Sequence, residues 1–164
     1  MRSFKIHTVI NLRGEKPNGS TTLSHAESSR LGIDHIYMAF ESRGAPHRDR
    51  ILRFADIYAA MRTPALIHCK SGADRAGLAA GLAILFEGGT AAQALAQLSL
   101  RHLHFSRSST GILDAFFRLY AAEAEGKKPF LDWVRDDYTE QRLRTQFAAR
   151  GWASFINDRV LRRE

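Results

Sequence analysis

The chain's single cysteine, Cys69, stands six positions before Arg75 in the run HCKSGADRAG, where an apolar stretch gives way to glycine and charge. A thiol attacks as its thiolate, and a helix N-terminus or a nearby cation favours that form. A short loop that closes on a helix turns successive backbone N–H groups inward and makes a cradle for an oxyanion, with the helix dipole behind it. Arg75 at the end of such a loop offers a planar fork that holds two oxygens of one phosphate. Thiolate, amide cradle and guanidinium together describe nucleophilic phosphoryl transfer. Cys69 attacks phosphorus, the ester oxygen leaves with a proton from a general acid, and water hydrolyses the phosphocysteine. The N–H groups and Arg75 take up the transition-state charge, so the scheme needs no metal. The plain alternative is that Cys69 is a small core residue.

Other chemistries find less support. The seven histidines are scattered, and His102 and His104 sit only two apart, so no Cys/His cluster has zinc-ligand spacing. One cysteine cannot close an internal disulfide, which points to a reducing, cytoplasmic setting. The opening MRSFKIHTVINLRGE lacks the apolar run of a signal peptide, and the longest weakly polar segment, 76–86, is half a membrane span. The net charge of +7 owes much to Arg142, Arg144, Arg150, Arg159, Arg162 and Arg163. Their irregular spacing and few interleaved aromatics read as a solvated helix face, so no nucleic-acid partner is expected. An anionic substrate and contact with a membrane surface both stay open, and the oligomeric state is not set by the sequence.

The elements that must position the loop follow from periodicity. Residues 7–12 (HTVINL) read as a buried strand ended by the turn chemistry of RGEKPNGS. A helix over 23–31 stops at Gly32, a second strand spans 33–40, and ESRGAP is loop. Ile51, Leu52, Phe54, Ala55, Ile57 and Tyr58 recur at helical spacing up to about Arg62, and Pro64 restarts the chain as an apolar third strand, 65–68. A helix apolar nearly all round spans 76–87, Thr90 caps another running towards His102, and further helices fall at 112–125, 129–138 and from 139 to about 162. The fold class expected is α/β: a small, mostly parallel sheet flanked by helices, with a helical C-terminal half. Length and the lack of any linker argue for one domain over 1–164.

HCKSGADRAG resembles the signature loop of the cysteine-dependent protein tyrosine and dual-specificity phosphatases, H-C-x5-R followed by Ser/Thr-Gly, with His68, Cys69, Gly72, Arg75 and Gly77 in register. HTVINLRGE looks like the strand that commonly opens these domains, and the spacing through LGIDHIYMAF suits the compact dual-specificity group; the likeness covers 4–103. Mid-chain placement sets the loop apart from the low-molecular-weight tyrosine phosphatases, whose similar loop lies near the N-terminus. The resemblance implies a phosphotyrosine phosphatase-like fold, Cys69 as nucleophile, Arg75 as clamp, and substrate phosphate held by Lys70, Ser71, Gly72, Ala73, Asp74 and Arg75. His68 would orient the loop, and no cofactor is implied. The substrate is then a phosphorylated protein, as for a tyrosine or dual-specificity phosphatase, or else an inositol phosphate or phospholipid. A phosphate-binding pseudophosphatase is a further reading, and a rhodanese-like transferase has too short a loop. Relatives often carry one or two strands before TVINL, so either the start is trimmed or the sheet is smaller.

Two departures stand out. Relatives usually carry Ser or Thr directly after the arginine, where its hydroxyl helps support the thiolate and its release; here the residue is Ala76, which implies slower hydrolysis of the intermediate. The usual general acid is an aspartate on an upstream loop, and the residue in that place is Glu41, 28 positions before Cys69. Asp74 is the other candidate. Its DR pair resembles the loops of myotubularin-type lipid phosphatases and of some bacterial tyrosine and lipid phosphatases, and its plain alternative is a helix cap or an ion pair. Asp49 stands behind both. Lys70 is similar to a lysine in tensin-like inositide phosphatases, or is a solvated rim residue; Arg43, on the upstream loop, engages substrate or is simply an exposed arginine. Arg101, His102, His104, Arg107, Ser108 and Ser109 form a polar connector expected to be structural or surface, and Trp133 and Tyr138 are expected in the core.

Overall fold

β-Branched residues pack well on a pleated surface, and the sheet is centred on the run richest in them, Thr8-Val9-Ile10, flanked by strands that carry Ile36 and Ile67. In the computed structural model, which describes residues 5–15, 19–99, 104 and 109–149, β1 (Thr8–Asn11) lies between β2 (Asp34–Tyr37) and β3 (Ala65–His68), all parallel. The register sets Ile10 beside both Ile36 and Ile67. Because side chains alternate faces, these three point together into the core, where Ile10 is fully buried. The opposite face carries the row Val9, His35, Leu66 and the row Asn11, Tyr37, His68.

α1 (Gly19–Arg30) covers the β2 side of that face: the Tyr37 hydroxyl donates to the Thr21 carbonyl at 3.4 Å, and Ser28 Oγ bonds His35 Nδ1 at 3.1 Å. The core face is closed by α2 (Arg48–Ala60), α3 (Asp74–Phe86), α4 (Ala91–Ala96), α5 (Ile112–Glu123) and α6 (Phe130–Asp136), followed by helix at 140–149. The architecture expected from the sequence is therefore the one observed.

α3 is the buried centre. A Cβ at Gly77 would lie 2.8 Å from the Gln97 carbonyl oxygen, and one at Gly81 would lie 2.5 Å from Phe117 Cζ, so both glycines let α4 and α5 approach. Thr90 caps α4 through a capping box with Gln93. The helix ends at Ala96 rather than near residue 102, because the chain turns there to bury Leu98 against Gly77. Trp133 and Tyr138 are each 1% exposed and pack on Phe116, Trp133 tilted and Tyr138 in a T-shaped contact, as expected of core.

Element ends differ from the expectation in ways that bear on the site. α3 begins at Asp74, two residues early, so Asp74 and Arg75 occupy its first turn. α1 begins at Gly19 rather than 23, and β2 is shorter than 33–40: beyond Tyr37 the Met38 and Phe40 amides bond the Asn11 and Leu12 carbonyls outside the strand ladder. Arg142 and Arg144 are exposed on the 140–149 helix, while Arg150, Arg159, Arg162 and Arg163 lie outside the described residues, as does the expected helix from 150 to 162.

Candidate active site

β3 delivers Cys69 at the carboxyl end of the parallel sheet, where open α/β sheets bind ligands. Its last carbonyl, on His68, accepts the Leu12 amide at 2.8 Å, which fixes the point from which the loop departs. The loop then turns back at Gly72, whose φ of +77° is left-handed backbone that glycine adopts at little cost. The turn aims the Gly72 N–H at Cys69 Sγ, 3.3 Å away. Cys69 itself is half-buried, packed against the core on one side and open on the other, so the plain core reading does not describe it.

α3 starts at once, with buried Ala73 as N-cap and no side-chain cap, so no cap competes for its first-turn amides. Uncapped N–H groups and the helix dipole converge on an anion placed at this point. Arg75, half-buried in that first turn, has no ion-pair partner among the described residues. Lys70, Ser71 and Gly72 are exposed at the rim, and half-buried Ala76 lines a groove of about 270 Å³ with Ile67, Gly72, Gly77, Ala80 and Gln97.

Among the described residues Asp74 neither caps the helix nor pairs with an arginine. Its Oδ1 lies 2.8 Å from His104 Nδ1, and His104 Nε2 lies 2.6 Å from Asp114 Oδ2. His104 is wholly buried, Asp114 is 2% exposed in the first turn of α5, and the Asp74 side chain keeps 25% of its surface in solvent. A file of three titratable groups thus runs from the core to the loop. The polar connector expected at 101–109 contributes this inner residue; Arg101, His102, Arg107 and Ser108 lie outside the described residues. One signal for Asp114 was present in the sequence, a lone carboxylate inside the apolar run ILDAFF.

Glu41 sits in a different environment. Its Oε1 accepts from the Arg50 guanidinium and stands 3.6 Å from His47 Nε2, while its Oε2 is buried with no hydrogen-bond partner among the described residues. His47 also reaches Glu140, 3.5 Å from Nδ1, and the Tyr138 hydroxyl donates to the Pro46 carbonyl at 2.7 Å, so this loop is tied to the C-terminal helices. Burial acts to raise the Glu140 carboxyl, but hydrogen bonds from the Arg48 and Glu140 amides, with the nearby His47 and Arg48 side chains, outweigh it and hold the group below its usual range. Asp49 is 92% exposed beside Arg48 on α2, and Arg43 is exposed.

Among the described residues no group of three His, Cys, Asp or Glu side chains is placed to hold a metal ion, and no helix is long and apolar enough to cross a membrane. Comparison with protein families matches residues 1–108 to the family described as DSP-PTPase phosphatase fused to NAD+ kinase. No curated protein matches the chain.

Proposed function

Because the chain belongs to the family of DSP-PTPase phosphatases fused to NAD+ kinase, we propose that it is a metal-independent phosphomonoester hydrolase acting through a phosphocysteine intermediate on phosphorylated protein side chains. The observation that carries this reading is the Gly72 N–H on Cys69 Sγ at the end of β3, with Arg75 in the uncapped first turn of α3 immediately after.

In this reading the phosphate sits over residues 70–75, held by their amides and by the Arg75 fork. Cys69 Sγ forms a bond to phosphorus as the ester oxygen departs with a proton. Water then attacks phosphorus, the S–P bond breaks, and inorganic phosphate leaves. Asp74 is the acid the geometry favours: one oxygen is tethered by His104 and the side chain is partly open to solvent, whereas Glu41 has one oxygen occupied and the other buried. His68 supports the loop from the strand end.

A second reading keeps the mechanism and changes the substrate. Lys70 stands exposed beside the cradle, where a second phosphate of an inositol phosphate or phospholipid headgroup would meet it. The test is phosphate release by wild type and Cys69→Ser from phosphotyrosine and phosphoserine peptides, inositol phosphates, phosphoinositide vesicles and NADP+, the last because of the kinase in the family's description. Cys69-dependent turnover led by phosphopeptides supports the first reading, and turnover led by inositides that falls in Lys70→Ala supports the second. Phosphate binding without release by wild type would leave only a pseudophosphatase.

A further inference from the structure

We propose that His104 is the positioning residue for Asp74: fixed from behind by Asp114, it holds one oxygen of the Asp74 carboxyl so that the other faces the substrate. The inference rests on the phosphatase reading above and adds two residues to it, neither of which touches substrate.

The physical case begins with burial. An imidazole with no exposed surface has one carboxylate oxygen at 2.8 Å from Nδ1 and another at 2.6 Å from Nε2. Each ring nitrogen thus has a carboxyl group as its hydrogen-bond partner, so the ring is satisfied on both sides. His104 is then an imidazole ring held at both ends. Asp114, in the first turn of α5 and 2% exposed, is the inner anchor, and Asp74 in the first turn of α3 is the outer one.

Placing such a file in a core is costly, because apolar side chains of similar volume would fill the same space without desolvating charge. As packing alone it has no rationale. It gains one where it ends, at the residue next to Arg75 in the loop that follows Cys69. With Oδ1 tethered, the Asp74 carboxyl cannot rotate freely, and a general acid must be held in one geometry to be effective.

The proton account closes without transfer through His104. The proton on Asp74 Oδ2 goes to the leaving oxygen as S–P forms and P–O breaks; the remaining carboxylate is held by the Nδ1–H of His104. In the second step the same Oδ2 takes a proton from the attacking water as O–P forms and S–P breaks. Asp74 is restored, and no proton passes through His104.

The experiment is a double-mutant cycle read with two leaving groups. kcat/KM is measured on p-nitrophenyl phosphate and on phenyl phosphate for wild type, Asp74→Asn, His104→Gln and the double variant, with Asp114→Asn as a second way to loosen the file should His104→Gln unfold. The expected result is a loss of roughly 10- to 100-fold on phenyl phosphate in His104→Gln, a much smaller loss on p-nitrophenyl phosphate, and no added loss when Asp74 is already Asn. Equal losses on both substrates, or a His104→Gln loss that persists undiminished in the Asp74→Asn background, overturns the inference and marks the file as structural. Wild type that shows no Cys69-dependent hydrolysis of either ester overturns the phosphatase reading itself, and the inference with it.

Discussion

The Gly72 amide points at Cys69 Sγ from 3.3 Å because Gly72 alone in the loop turns the backbone left-handed, at φ +77°. A Cβ at Gly72 would meet nothing within 4 Å, so any penalty for adding one is conformational rather than steric crowding. Left-handed backbone costs an L-residue roughly 1–2 kcal/mol. Gly72→Ala is therefore expected to relax the turn, carry the amide off the sulfur and lower kcat on p-nitrophenyl phosphate by about tenfold, the worth of 1.4 kcal/mol. Steady-state kinetics with a thermal melt checks this. Unchanged kcat would mean that the Gly72 amide contributes nothing to the thiolate.

Asp74 and Glu41 make opposite predictions. Asp74 presents a partly exposed carboxyl tethered at one oxygen, while Glu41 spends its outer oxygen on Arg50 and His47 and buries the other. Asp74→Asn is expected to slow phenyl phosphate by roughly 100-fold or more and p-nitrophenyl phosphate far less, since a good leaving group needs little protonation. Glu41→Gln should leave that leaving-group dependence as it was and lower the melting temperature slightly, through loss of a partly exposed ion pair. Leaving-group plots for the two variants decide between them, and a steepened plot for Glu41→Gln would return the acid to the upstream loop.

Much of this arrangement was legible in the sequence, for reasons that separate local from distant signals. The strand, loop and helix around Cys69 declare themselves through contiguous chemistry: an apolar run, a glycine where the backbone must invert, then alanine and glycine at a crowded helix interface with α4 and α5. The tie between Asp74 and His104 spans 30 residues and depends on how α3, α5 and the intervening connector converge, which no periodicity encodes. His104 read as a structural or surface residue because its neighbours in sequence are polar, and its being wholly buried between two carboxyl groups was not legible there. Glu41 matched its expected place by spacing alone, and only the fold brings Arg50 and His47 onto it. The start of α3 moved to Asp74 because nothing in ADR resists helix, and that shift is what hands both residues to the first turn.

Ala76 is expected to limit the second half of the reaction. The position borders a groove of about 270 Å³, so a hydroxyl added there has room. If release of phosphocysteine is slow for want of that hydroxyl, Ala76→Ser should raise the hydrolysis rate and diminish the pre-steady-state burst of p-nitrophenol relative to the steady rate. Stopped-flow traces of the two proteins measure both phases at once. A burst of the same amplitude in Ala76→Ser would show that the missing hydroxyl does not set the pace.

His35 predicts an acid weakness on the face of the sheet opposite the core. It stacks on Tyr37 at 4.6 Å between ring centroids, accepts or donates at Nδ1 to Ser28 Oγ, and buries Nε2 with no hydrogen-bond partner among the described residues. Burial pushes its imidazole below the usual histidine range; the Ser24 backbone opposes this, and the neighbouring His25 and His68 add to it. A histidine depressed in the folded state takes its proton more readily unfolded, so the unfolded chain binds more protons in the window below about pH 6.5. The stability that neutral His35 contributes is thus complete above that pH and declines as pH falls through the window. Urea unfolding at pH 7.5 and pH 5 should show a smaller acid loss in His35→Phe, which keeps the stack and cannot charge, than in wild type. Equal losses in the two proteins would place the acid sensitivity elsewhere and leave the contact between α1 and β2 indifferent to pH.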